Sequence, residues 1–173
     1  MTSEPLRLNI GGTARRPGWK VLNIVRGPHV DFVGDCADLS QFAAGSVEEV
    51  YASHVLEHLG LVELPKALAE ARRVVRAGGR FLISVPDLEV LCRFMLNGEL
   101  TLQERFEVMR MIYGGQSDPY DFHKIGLTRE LLCGLLGQAG FRLFKVVEGF
   151  DLFQDTSTML YKGKPVSLNM IAA

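Results

Sequence analysis

A strand, a helix and a second strand in close succession at residues 49–85 constrain the fold more than any other feature. Residues 49–53 (EVYAS) and 80–85 (RFLISV) are short, rich in β-branched and aromatic side chains, and typical of buried strands. The residues between them place apolar side chains at helical spacing, and Gly78 with Gly79 favours the end of a helix. Two strands joined by a helix pair in parallel through a right-handed crossover. We therefore expect an α/β fold.

Further strand and helix patterns surround this unit. Strands are predicted at residues 6–10, 20–25, 30–34, 143–147 and 166–172. The last two are expected to add an antiparallel hairpin to a parallel sheet. A helix is predicted from Thr128, a residue suited to the N-cap, to Gly140. Too few residues separate the first two strands for a full crossover helix, so the first crossover is expected to be contracted.

Residues 87–124 interrupt the alternation of strands and helices. Two predicted helices (LEVLCRFML and TLQERFEVMRMIY) are followed there by a polar loop, GGQSDPYDFHK. Ligands of open α/β sheets bind beyond the carboxyl ends of the strands, where an insertion after a strand lies. We therefore expect one domain over residues 1–173, with a helical lid or substrate-recognition segment at about 87–124. The alternative is a helical pair that only thickens the core.

The charge and hydrophobicity of the chain limit the classes of partner. Its 19 basic and 20 acidic residues give a net charge of -1, so no global attraction to nucleic acid or anionic membrane is expected. Residues 1–9 lack the pattern of a signal peptide, and no segment approaches about 20 uninterrupted apolar residues. We expect a cytoplasmic protein, and a homodimer is left open.

Residues 53–60 (SHVLEHLG) contain a pattern that resembles a metal site. His54, Glu57 and His58 have the HxxEH spacing of a class of zinc peptidases. Such a site needs a sustained helix and a third ligand from another element, whereas this segment leaves room for about two helical turns at most. Glu130 could serve as the third ligand, but the dipole of its own helix explains that acid equally well. We expect no metal site and keep an HxxEH zinc hydrolase as a remote alternative.

Five sequence segments follow one another in a defined order along the first half of the chain. They are LNIGG, PGW with LNI, VDFVGDCADL, VEEVYASHVLEHL and ALAEARRVVRAGGRFLISVPD. In order and spacing the chain resembles the class I S-adenosylmethionine-dependent methyltransferases, above all small bacterial predicted methyltransferases with a shortened N-terminal half. The resemblance implies a Rossmann-like, mostly parallel sheet with flanking helices, and S-adenosyl-L-methionine as cofactor. It also implies methyl transfer to a small molecule or sugar-type acceptor, with O-methylation preferred.

The resemblance implies a set of cofactor-binding residues near the ends of the first four strands. They are Asn9, Gly11, Gly12, Asn23, Asp35, Cys36, Ser53 and His54. Among them the glycines would face the methionine part, Asn23 would face the ribose hydroxyls, and Asp38 competes with Asp35 for the adenine. Family members usually carry acids in place of Asn9 and Asn23. A neutral amide binds a hydroxyl more weakly than a carboxylate does, by about 1 kcal/mol.

The polar loop after the proposed lid supplies candidate catalytic residues. His123 is the candidate base because imidazole titrates near neutral pH, and Asp121 could orient it. The candidate acceptor-binding residues are Tyr113, Gln116 and Tyr120. His54 keeps a functional role through its position at a strand end, whereas His58 is expected to be structural. The main alternative function is a catalytically silent methyltransferase fold that serves as a binding or interaction module.

Overall fold

A computed structural model describes residues 5–173, which are organised around a seven-stranded sheet. The strands are β1 (Leu6–Ile10), β2 (Trp19–Asn23), β3 (Phe32–Val33), β4 (Val47–Ser53), β5 (Val75–Pro86), β6 (Phe144–Val147), β7 (Leu160–Tyr161), β8 (Lys164–Pro165) and β9 (Ser167–Ala172). Their order across the sheet is β3-β2-β1-β4-β5-β9-β6, and β7 with β8 forms a separate two-stranded hairpin.

The direction of the strands agrees with the sequence patterns. Strands β1 to β5 pair in parallel, and β9 lies antiparallel between β5 and β6. Ile83 of β5 faces Met170 of β9 across this antiparallel pair, and both side chains are completely buried. The predicted α/β sheet with a C-terminal antiparallel hairpin is therefore confirmed.

Four helices flank the sheet or extend beyond its edge in the described chain. They are α1 (Glu63–Val74), α2 (Leu88–Leu96), α3 (Leu102–Tyr113) and α4 (Arg129–Gln138). The hydroxyl of Thr128 accepts a hydrogen bond from the Leu131 amide at 3.3 Å, so the predicted N-cap of α4 is confirmed. Residues 11–18 contain no helix, which confirms the contracted first crossover. Between residues 5 and 173, no helix combines the length and the apolar character needed to span a membrane.

The two faces of the sheet are covered differently. Helices α1 and α4 pack on one face and bury the main hydrophobic core there. On the other face, Trp19, Tyr51 and Leu82 pack against aromatic side chains of an irregular segment, among them Phe153. The Tyr51 hydroxyl donates to a carboxylate oxygen of Asp155 at 2.7 Å, and burial raises the pKa of Tyr51 to about 12. The irregular segment thus replaces helices on this face.

Helices α2 and α3 form a unit of their own beyond the carboxyl end of β5. They share a small hydrophobic cluster that includes Leu91, Phe94 and Val108 and rests on Val166, next to β9. The segment leaves and rejoins the sheet at one place, because the Leu88 amide donates to the Leu127 carbonyl at 3.1 Å. The loop that follows α3 is thereby held at the carboxyl edge of the parallel strands.

Candidate functional site

Two adjoining cavities lie at the carboxyl edge of the parallel strands. The larger has a volume of about 710 Å³ and is bordered by the ends of β1, β2, β3 and β4 and by residues of the loop after α3. The smaller, of about 260 Å³, lies between β4, β5, α2, α3 and the same loop. His54 and His58 border both cavities, so a ligand in one would lie beside a ligand in the other. A cleft with a side chamber suits two ligands that react with each other.

The glycine turn after β1 forms part of the larger cavity. Gly11 lines it with a φ of 74°, and a Cβ there would lie 2.5 Å from Cγ2 of Val55. Gly12 does not line the cavity, and a Cβ on it would lie 2.2 Å from Nδ2 of the buried Asn9. Close packing explains both glycines, and Asn9 supports the turn from behind the cavity wall.

Asn23 lines the larger cavity and stabilises the glycine turn through hydrogen bonds. Its Nδ2 donates to the carbonyl oxygens of Gly11 at 3.2 Å and Gly12 at 3.1 Å. Its Oδ1 accepts from the Val25 amide at 2.9 Å. A carboxylate has no hydrogen to donate, so an acid at this position could not make the first two bonds. Oδ1 has a second lone pair that could accept a hydrogen bond from a ligand.

The loop after β3 brings a carboxylate and a thiol to the larger cavity. Asp35 and Cys36 both line it, whereas Asp38 does not and accepts from the Ser40 amide at 3.1 Å. The structure thus places Asp35 rather than Asp38 at the cavity wall. Burial raises the pKa of the Cys36 thiol to about 12, so this group is a neutral thiol rather than a nucleophile at pH 7.

His54 follows β4 in a strained backbone conformation. Its φ is 52°, an uncommon value for a residue with a side chain, and its amide donates to the Ser84 carbonyl at 2.8 Å. Ser167 donates its hydroxyl hydrogen to the Thr156 carbonyl at 2.8 Å, so His54 Nε2, at 3.0 Å, must be the donor to Ser167. Ser53, by contrast, lines neither cavity, and its hydroxyl is buried.

Glu57 is a buried carboxylate among three histidines. Only 2% of its side chain is exposed, and its Oε1 lies 3.2 Å from His54 Nδ1 and 3.9 Å from His123 Nε2. Neither contact has hydrogen-bond geometry, and within residues 5–173 no donor reaches either carboxylate oxygen. The rings of His58 and His123 meet edge to face with their centroids 4.8 Å apart.

His123 is oriented by a backbone carbonyl instead of by Asp121. Its Nδ1 lies 3.1 Å from the Met111 carbonyl oxygen, which can only accept, so Nδ1 carries the hydrogen. Burial lowers the pKa of His123, and the charge of Glu57 partly opposes this effect. The Asp121 carboxylate instead accepts from the amide and hydroxyl of Ser117, at 3.1 and 2.8 Å. The expectation that Asp121 orients His123 is corrected, because Asp121 shapes the loop.

The remaining expected residues divide between the two cavities and the surface. Tyr120 borders the larger cavity, His123 and Asp121 border the smaller, and Tyr113 and Gln116 border neither. His58, which the sequence pattern predicts to be structural, lies between the two cavities. Two further residues have no predicted role: Glu57, apart from the unfavoured zinc pattern, and Arg110, which borders the smaller cavity. The HxxEH spacing in the sequence pointed to His58 and Glu57 but not to Arg110.

Comparison with known proteins agrees with this architecture. Residues 18–83 match a family model described as a methyltransferase domain. A structure of an S-adenosylmethionine-dependent methyltransferase from Archaeoglobus fulgidus matches with a TM-score of 0.60 and 18% identity, over 96% of this chain and 85% of the other. A Burkholderia thailandensis 1,6-didemethyltoxoflavin-N1-methyltransferase matches with a TM-score of 0.58 and 17% identity, over 96% and 69%.

Longer methyltransferases contain the same architecture as one part. The CurJ carbon methyltransferase matches with a TM-score of 0.57 and 14% identity over 96% of this chain, which spans only 47% of that longer structure. No curated protein is similar enough in sequence to match the chain. The matched domain model and the shared architecture confirm the resemblance, and the chain has the fold of the class I S-adenosylmethionine-dependent methyltransferases.

Proposed function

We propose that the protein is an S-adenosylmethionine-dependent methyltransferase that acts on a small-molecule acceptor, preferably a hydroxyl. The observation that supports this function best is the pair of cavities that meet at His54 and His58. The larger has the volume of a typical cofactor site, and the smaller could hold the part of an acceptor that reacts. Methyl transfer needs little more than two ligands held close together and in line.

The walls of the larger cavity offer groups that suit the cofactor. Asn23 Oδ1 would accept from a ribose hydroxyl, and the Asp35 carboxylate would accept from the adenine amine. Lys124 is the one cation among the described residues of this wall and would pair with the methionine carboxylate. When bound, the cofactor would supply the methyl group of its sulfonium, with the electron pair of the broken bond left on sulfur.

The smaller cavity offers a base for a hydroxyl acceptor. Because His123 Nδ1 donates to the Met111 carbonyl, the neutral ring has its lone pair on Nε2. This nitrogen would take the proton of the acceptor hydroxyl as the oxygen forms its bond to the methyl group. His54, fixed by Ser167 at the junction of the cavities, would hold the acceptor near the sulfonium.

Calorimetric titration with S-adenosylmethionine and S-adenosylhomocysteine tests the cofactor assignment. We expect both to bind, and we expect Asp35→Ala to weaken binding about tenfold, because a charge-assisted hydrogen bond is lost. Asp38→Ala is the matched control, since this nearby acid lies outside the cavity and should leave affinity unchanged. Failure of both compounds to bind at millimolar concentration would reject the methyltransferase proposal.

A second experiment tests the acceptor class. The protein would be incubated with isotopically labelled S-adenosylmethionine and a panel of small alcohols, phenols, sugars and amines. We expect the label in methyl ethers, with turnover that falls in His123→Ala. Label found only in methylamines would contradict O-methylation while leaving the transferase in place.

A further inference from the structure

Three of the four histidines of the chain surround one buried carboxylate. Glu57 and His58 lie on the short helical turn after β4, His54 precedes that turn, and His123 comes from the loop after α3. Two segments far apart in sequence thus deliver four groups that bind metals or protons to the junction of the two cavities. This arrangement differs from the HxxEH zinc-peptidase pattern, because the ligand from outside the turn is His123 and not Glu130.

When the three imidazoles are neutral, the second ring nitrogen of each and both Glu57 carboxylate oxygens are hydrogen-bond acceptors. The Nδ1 atoms of His58 and His123 lie 3.2 and 3.1 Å from backbone carbonyl oxygens, so in each neutral ring the hydrogen is on Nδ1. The remaining nitrogen of each ring, Nε2, then carries only a lone pair. His54 donates through Nε2, which leaves the lone pair on Nδ1, the nitrogen that is 3.2 Å from Glu57 Oε1.

This excess of acceptors destabilises the cluster, because one of the acceptors is the buried carboxylate of Glu57. Its side chain is 98% buried, and between residues 5 and 173 neither carboxylate oxygen receives a hydrogen bond. A buried carboxylate without a donor is strongly destabilised relative to one in water, because it has lost its hydration without gaining a partner. A cation among these atoms would satisfy the carboxylate and the imidazole lone pairs together.

We propose that Glu57, His58 and His123 bind a divalent transition metal, for which zinc is the best match. A carboxylate with two imidazoles is a known three-residue zinc set that keeps one coordination position open. One ligand atom of each residue already lies within 4.8 Å of those of the other two. Ligands of a tetrahedral zinc ion are about 3.3 Å apart, given bonds of about 2.0 Å, so modest side-chain rotations would close the site.

The surroundings of the two histidines fit metal ligation. A histidine that binds a metal usually donates its other ring N–H to a carbonyl or carboxylate, which fixes the ring and its tautomer. His58 does so toward the Phe122 carbonyl and His123 toward the Met111 carbonyl. His54 lies beside the carboxylate as a further neighbour of the ion.

The open coordination position would face the smaller cavity, which His58 and His123 both line. In this respect the inference rests on the proposed function, because the cavity is there assigned to the acceptor. An acceptor hydroxyl on the ion would release its proton to solvent more readily, since a bound divalent cation lowers the pKa of its oxygen ligands. His123 would then act as a metal ligand, and the ion would replace it as the activating group.

Metal binding can be measured without cofactor or substrate. Untagged protein would be treated with a chelator, dialysed, and titrated with Zn²⁺ by calorimetry and with Co²⁺ by visible absorption. We expect one equivalent of each to bind, with the intense visible bands of tetrahedral Co²⁺. The variants Glu57→Gln and His58→Ala should each weaken binding by at least about tenfold, because each lacks a ligand.

His29→Ala is the matched control, because His29 is the one exposed histidine outside the cluster and should bind the metal like the unchanged protein. Circular dichroism would verify folding, and His58→Ala, at a partly exposed position, provides the test if Glu57→Gln does not fold. Absence of stoichiometric binding, or equal binding by the ligand variants and the control, would overturn the metal site. S-adenosylmethionine binding by metal-free protein would then show that the methyltransferase proposal stands independently.

Discussion

At the residue scale, the glycine turn after β1 requires an amide side chain at Asn23. Its two N–H groups bind two successive carbonyl oxygens, of Gly11 and Gly12, and its carbonyl accepts the Val25 amide. Methyltransferases of this class usually carry an acid at the corresponding position. In this chain the contracted turn presents two carbonyl oxygens to the side chain at position 23, and only a hydrogen-bond donor can bind them. The neutral side chain is therefore matched to the short turn.

The exchange Asn23→Asp tests this interpretation. The carboxylate would face the carbonyl oxygens of Gly11 and Gly12 without a hydrogen to share, and both would lose their donor. We expect the free energy of unfolding to fall by about 1–3 kcal/mol and the affinity for S-adenosylmethionine not to rise. Denaturant unfolding and calorimetry would measure these two quantities.

Asn97→Asp is the matched control for this exchange. The Asn97 side chain accepts from the Glu99 amide at 3.0 Å through Oδ1, a bond that a carboxylate can also make. We expect its free energy of unfolding to stay within about 0.5 kcal/mol of the unchanged protein. A gain in cofactor affinity in Asn23→Asp would show instead that the amide is a weakened form of the usual acid.

At the element scale, the loop after α3 depends on Gly114. This residue has a φ of 85°, and a Cβ on it would lie 2.3 Å from the carbonyl oxygen of Asp121. The Gln116 amide donates to the same carbonyl at 2.9 Å, and the His123 amide donates to Tyr113 at 3.1 Å. These bonds close the loop tightly and set the position of His123.

We expect Gly114→Ala to disrupt this loop. The methyl group would collide with backbone and the φ would be strained, at a cost of about 1–3 kcal/mol in the free energy of unfolding. The NMR signals of the His58 and His123 rings should shift, since the two rings would lose contact. Gly98→Ala is the control, because its φ is not in the left-handed region and nothing lies within 4 Å of its Cβ position. Unchanged ring signals in Gly114→Ala would refute this role for the loop.

Helix α3 and the β7–β8 hairpin are joined by a charged contact. Glu104 completes the capping box with Thr101 and also pairs with Lys162. The Lys162 ammonium, followed by the hydrogen bonds from Thr101, lowers the pKa of Glu104 to about 2. Because the folded pKa lies below the unfolded value, the stabilising effect is present above pH 4.5 and is lost as the pH falls toward 2.

NMR titration of the Glu104 carboxyl would check this value. We expect Lys162→Gln to raise the pKa of Glu104 toward its ordinary value, while the Thr101 hydrogen bonds keep it somewhat below. Lys164→Gln is the control, because Lys164 lies over the Phe94 ring instead of beside Glu104. Equal titration of Glu104 in both variants would mean that the contact with Lys162 does not persist in solution.

Helices and strands could be predicted from the sequence where a few neighbouring residues determine them. Helix α4 begins after Thr128 because a hydroxyl there caps the first turn, and such a cap can be seen in the sequence. The histidine cluster could not be predicted in the same way. The His58 ring and the Phe122 carbonyl that fixes it are 64 positions apart, so their contact depends on how the whole segment after β5 folds back. The HxxEH spacing indicated possible metal ligands but did not identify His123, which completes the proposed set.

At the scale of the whole molecule, the loop after α3 joins two regions with different packing. The parallel strands belong to the main core, whereas α2 and α3 pack in a separate cluster. The loop contributes Tyr120 and Lys124 to the larger cavity and His123 to the smaller. A cofactor in the larger cavity would therefore touch residues from both regions and link them.

This arrangement predicts how hydrogen exchange responds to the cofactor. We expect S-adenosylmethionine to slow amide exchange at residues 10–13, in the glycine turn, and also at residues 115–124, in the loop after α3. The loop amides should be protected because a ligand held between the loop and the strand ends raises the free energy of local opening. Residues 160–165, in the β7–β8 hairpin, line neither cavity and serve as the internal reference. Protection confined to the strand ends would mean that the segment 87–124 does not cover the cofactor, and its helices would then serve only to extend the hydrophobic core.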